Sequence, residues 1–173
     1  IEDPAPTPAK QAFAPVDEYA LASRLSYFLW STMPDAELFA LAERGQLRRE
    51  LPAQLKRMLA DPKTNQGFVR NFTGQWLQAR DIEFVPINAR AVLGITGRGN
   101  DNAPRVDFDG PLRKLLRSET EMYFEYVLRE NRSALELIES DYTFLNERLA
   151  KHYGVPGVTG DQLRRVTLPA DSV

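Results

Sequence analysis

The chain has no cysteine and one histidine, His152. The first absence excludes disulfides, thiolate metal sites and covalent haem attachment within these residues. The second leaves any metal site without the imidazole pair that commonly builds one. Charge of either sign is nearly balanced, at −2 net. No basic stripe interleaved with aromatics stands out, so nucleic acid is not expected as a partner. No run of eighteen apolar residues occurs, so no membrane span is expected. No Gly-rich phosphate loop is present either: Gly94, Gly97 and Gly99 have the wrong spacing and no Lys-Ser/Thr partner.

What is present is ordinary for a globular protein. Of 173 residues, 43% are hydrophobic and 27% charged, enough for a full core. Ile1 to Pro15 holds four prolines among Ala and Thr and reads as a stiff linker over 1–15, leading into a helical domain over 16–173. The start without Met and the Pro-rich lead-in give the expectation of an excerpt from a larger multidomain protein.

Helical periodicity dominates the rest. Asp17 caps a first helix whose face is Leu21, Leu25, Phe28 and Leu29, with Arg24 on the apolar side. Pro34 and Asp35 restart the chain, and Gly45 ends that helix. Leu51, Leu55, Met58 and Leu59 mark a third, closed by Asp61-Pro62. Phe68 to Leu77 marks a fourth, in which Gly67 and Gly74 permit close helix approach. Residues 94–109 form one long, glycine- and amide-rich loop. Its Asp107 to Gly110 resembles part of a calcium loop, but the twelfth position is Ser118, not the required Glu.

Asp109, Gly110 and Pro111 open the strongest helix, Leu112 to about Arg129. Its apolar face includes Leu112, Leu116, Tyr123 and Val127, with Glu121 and Glu125 on the other side. Glu119 falls inside the apolar stripe. Ser133 caps a short helix to Ile138. Asp141 or Thr143 then caps a helix bearing Phe144, Leu145, Leu149 and Tyr153, stopped by Gly154 and Pro156. Leu163 to Leu168 is at best one short strand. The expected fold is all-α: a single compact domain of about seven helices, one long loop and at most a short C-terminal strand.

Chemistry is sparse in this pattern. Arg24 and Glu119, each placed on an apolar helix face, are expected to pair, because an unpaired buried charge is costly. The competing reading sends each to the surface at a helix edge. Glu119 and Asp141 are candidate acid–base carboxylates, and His152 a candidate proton carrier. For His152 the plainer reading is a last-turn cation facing the helix dipole. No nucleophile, second histidine or metal cluster supports catalysis, and no cofactor is expected in this fragment.

Four stretches carry a family likeness: Leu21 to Ser31 with Met33-Pro34-Asp35; Arg57 to Pro62 with Phe72 and Gln75-Trp76-Leu77; Leu112-Arg113 with Glu119-Thr120-Glu121; and Asp141 to Gly154. In this order they resemble the Planctomycete-type secreted, cytochrome-associated domain known as domain of unknown function 1592. The resemblance implies an extracytoplasmic setting, inside a large exported protein beside sister domains and often a c-type cytochrome module. It carries no established catalytic residues. Arg24, Glu119, Asp141 and Asn146 match motif positions whose role is open. The first expectation is a non-catalytic scaffold or interaction module. The alternatives are part of an extracytoplasmic enzyme acting on a polymer, a carboxylate hydrolase or a redox enzyme completed by a neighbouring domain, and a partner- or glycan-binding module using loop 94–109.

Overall fold

A computed structural model describes residues 15–86 and 108–168. The expected linker 1–15 and loop 94–109 therefore lie, apart from Pro15, Phe108 and Asp109, outside the described residues. The chain is mostly helical and packs as two compact units, Ile1–Phe72 and Thr73–Val173.

In the first unit, α1 spans Glu18–Trp30, α2 Ala36–Glu43 and α3 Leu51–Ala60, followed by a π-helix over Asn65–Thr73. Asp17 caps α1 as the sequence predicts, and Asp35, expected in the restart of the chain, is the cap of α2. Asp17 Oδ1 accepts from the Ala20 N–H at 2.7 Å, and Asp35 Oδ1 from the Leu38 N–H at 2.9 Å. Such side-chain caps satisfy first-turn donors that have no helical partner. The core is built from Ala22, Leu29, Trp30, Leu38, Leu47 and Met58. Trp30 donates its indole N–H to the Met58 carbonyl at 3.2 Å and lies beneath the Lys63 and Arg57 cations. Gly67 presses against the Trp30 backbone, where any added Cβ would collide with it. That is the close approach anticipated for this glycine.

Two expectations for this unit are corrected. Arg24 is exposed, as is Phe28 at 61%, while Leu21, Leu25 and Leu29 of the expected face pack against the core together with Ala22 and Trp30. The fourth helix is not one α-helix: the π-helix ends at Thr73, and α4 is a single turn, Gly74–Trp76.

In the second unit, α4 leads into a 3-10 turn, Ala79–Glu83. The long helix α5 runs Gly110–Arg129, with Asp109 as its cap and Pro111 in the first turn. A 3-10 turn at Ala134–Leu137 is capped by Ser133. Strand β1, Tyr142–Leu145, pairs antiparallel with β2, Arg164–Thr167, and α6, Glu147–Tyr153, lies between them in sequence. Leu112, Leu145, Leu149, Ala150 and Val158 form the core.

The segment expected to start a helix at Asp141 or Thr143 is thus a strand. Tyr-Thr-Phe-Leu is β-favouring, and β2 supplies its ladder partners. The cap has moved to Asn146, whose Oδ1 accepts from the Leu149 N–H at 2.9 Å and whose Nδ2 donates to the Asp161 carbonyl at 3.0 Å. Gly154 closes α6 at φ 74°, as expected of a left-handed helix stop. Glu121, read as solvated, is buried. Arg117 lies between it and Glu83 and pairs with both.

Candidate functional site

Three elements of the second unit bring side chains together. Helix α5 supplies Glu119, β1 supplies Thr143, and the last turn of α6 supplies Tyr153. Thr143 Oγ1 donates to Glu119 Oε1 at 2.5 Å, and the Tyr153 hydroxyl donates to Oε2 at 2.8 Å. Burial pushes the Glu119 carboxyl above its ordinary range, and these hydrogen bonds and the His152 charge offset that only in part. The Tyr153 phenol is raised as well, by burial first and then by the Glu119 carboxylate it faces.

A polar belt continues from there. The Tyr123 hydroxyl donates to the Glu136 carbonyl at 2.5 Å and lies 2.6 Å from Ser140 Oγ, which donates to the Tyr142 carbonyl at 3.0 Å. Arg132 Nε and the Tyr142 hydroxyl each donate to Glu136 Oε2 at 2.6 Å. The Arg132 and Tyr142 bonds hold the Glu136 carboxyl below its usual range. Tyr142 itself is 2% exposed, stacked on Tyr123 with ring centres 5.2 Å apart. Burial and its bond to Glu136 push its phenol up.

These groups line a cleft of about 410 Å³, whose rim carries Trp76, 55% exposed, and Ile138, 86% exposed. Trp76 lies on the helical stretch Phe68 to Leu77 that the sequence marks as a fourth helix, a position that reads as core. It instead faces the cleft, edge-on to Phe124 at 6.4 Å between ring centres. A second depression of about 520 Å³ shares Leu77, Glu119, Thr120 and Tyr153 with the first. Glu119 and Tyr153 therefore border both. Glu119 is thus half-buried at the edge of these clefts and is not sealed in a closed core.

The other sequence candidates are placed apart from this belt or at its edge. Asp141 is exposed, and its backbone carbonyl accepts from the Leu168 N–H at 2.7 Å. His152 is exposed in the last turn of α6, with its ring centre 5.3 Å from that of Tyr153. Arg24 belongs to the first unit and stands exposed on α1, whereas Glu119 is half-buried in the second. Asn146 is buried and serves as a cap and strut. Asp109 caps α5 and accepts from Arg148 at 2.7 Å.

Sequence reasoning missed Tyr123, Glu136, Tyr142 and Trp76. A signal existed: tyrosine recurs where a purely apolar stripe would take Phe or Leu, and a buried phenol needs a partner for its hydroxyl. Among the described residues no group of three His, Cys, Asp or Glu could hold a metal ion. Among them also, no helix is long and apolar enough to cross a membrane.

No curated protein and no solved structure matches the chain. The family model described as Protein of unknown function (DUF1592) matches residues 16–155, most of the sequence, and the chain belongs to that family.

Proposed function

We propose that the chain is a non-catalytic interaction module of a larger exported, cytochrome-associated protein, holding neighbouring domains in place. What supports this reading is how the motif side chains are used. Asp35 caps α2 and binds Arg57. Trp30 ties α1 to the Met58 carbonyl. Asn146 caps α6. A side chain committed to a cap or a strut is not aimed at a reacting atom. The exported setting and the cytochrome partner rest on the family resemblance.

A second reading, part of an extracytoplasmic enzyme, is favoured by one observation. Glu119 borders two clefts, and its carboxyl is raised towards the range suited to acid–base work. One pair of measurements separates the two. The chain is titrated by calorimetry against the other domains of its parent, a c-type cytochrome module included. The same mixtures are assayed for polymer hydrolysis and electron transfer. A saturable complex without turnover is expected. Turnover that Glu119→Gln abolishes would replace the first reading with the second, and fractionation of producing cells checks the exported location.

A further inference from the structure

The cleft bordered by Trp76 and Glu119 has a chemistry that selects its ligand. Its hydroxyl protons are already placed. Thr143 and Tyr153 donate to Glu119, and Thr120 donates to the Leu116 carbonyl at 3.1 Å. Tyr123, Ser140 and Tyr142 donate within the Glu136 belt. These oxygens offer lone pairs to a ligand, not protons. Among the described residues lining the cleft there is no Lys, Arg or His. Of its two carboxylates, Glu136 is matched by Arg132, and Glu119 takes its hydrogen bonds from two neutral hydroxyls, with the His152 charge acting on it from outside the lining. The aromatic rings of Trp76, Tyr123 and Phe124 complete the wall.

We propose that this cleft binds a primary alkylammonium group, with the charge against Glu119 and the methylenes along Trp76 and Leu77. An ammonium carries three donors and no acceptor, which complements a wall of acceptors. Cations are also drawn to aromatic faces, most strongly to tryptophan. A saccharide fits less well, because each of its hydroxyls brings lone pairs that the hydroxyls of this wall leave unmatched. The volume, about 410 Å³, suits a small amine or one lysine side chain. The inference stands apart from the module reading and survives if that reading fails.

The test titrates the whole 173-residue chain with hexylamine, 1-hexanol, Nα-acetyl-lysine methylamide and cellobiose, at about pH 8, above the usual imidazole range. Calorimetry and the Trp76 indole resonance are the readouts. Hexylamine or the lysine amide is expected to bind saturably and to shift Trp76, with hexanol at least roughly tenfold weaker. Tighter binding of the lysine amide would identify a protein side chain as the source, and tighter binding of hexylamine a free amine. Glu119→Gln is expected to remove the preference for amine over alcohol. Equal binding of hexylamine and hexanol, preferential binding of cellobiose, or no saturable amine binding by the folded wild-type chain would overturn the proposal. The amine–alcohol comparison needs no variant, so it holds even where a substitution unfolds the chain.

Discussion

Arg57 reaches Asp35 with two nitrogens, at 2.7 and 3.3 Å, while the same carboxylate caps α2. Burial works against the Asp35 charge, but the Arg57 and Leu38 hydrogen bonds outweigh it and hold the carboxyl below its usual value. Both partners are partly exposed, so solvent screening limits what the pair contributes. Arg57→Ala is expected to lower unfolding stability by about 1–2 kcal/mol, read from urea midpoints. Arg57→Lys should recover only part of this, since an ammonium cannot reproduce the two-pronged fork. Asp35 was visible in the sequence as an acid where a helix restarts, and its meeting with Arg57 was not. Glu119 shows the same limit. Its place in an apolar stripe was readable from spacing, but Thr143 and Tyr153 lie 24 and 34 residues away. Distant pairings of that kind depend on packing that periodicity does not encode.

Elements were more legible than contacts. The start of α5 follows from Asp109 and Pro111, the start of α2 from Asp35, and the end of α6 from Gly154. Each of these signals acts within one turn. β1 was misread because Phe144, Leu145 and Leu149 also satisfy a helical spacing, and its ladder partner lies beyond α6 in the chain. The π-helix was misread for another reason: its sequence is amphipathic at ordinary helical spacing. Its register bears on packing through Gly67, which lies against the backbone of Trp30 at the end of α1. There Ser31 takes a left-handed turn at φ 56°, and Ser31 Oγ and Asn71 Nδ2 both donate to the Gly67 carbonyl. Gly67→Ala is expected to destabilise by about 1–3 kcal/mol, the usual cost of overpacking, since the obstacle is backbone. A fall in thermal midpoint, with Trp30 emission as the probe, is the outcome to look for. An unchanged midpoint would mean the contact is looser than described.

For the molecule as a whole, the carboxylates set the pH response. Asp35, Asp109, Glu136 and Glu147 are all held below their ordinary values by basic partners and N–H or hydroxyl donors. In each case the native state binds fewer protons than the unfolded chain, so stability is present above the unfolded pKa and lost as pH falls through the native one. Glu119 has the opposite sign: its contribution is present when protonated and is lost as pH rises through its raised value. Four against one predicts a stability that falls steeply below about pH 4. Glu119→Gln should steepen the rise above about pH 4, which thermal melts taken upward from that pH would register. The small sheet carries a further consequence. Among the described residues β2 has one neighbour, β1, and is an edge strand. Arg164 and Arg165 stand exposed on that strand. Two like charges repel a second copy of themselves, so this edge resists growing into a fibre while the chain remains free in solution.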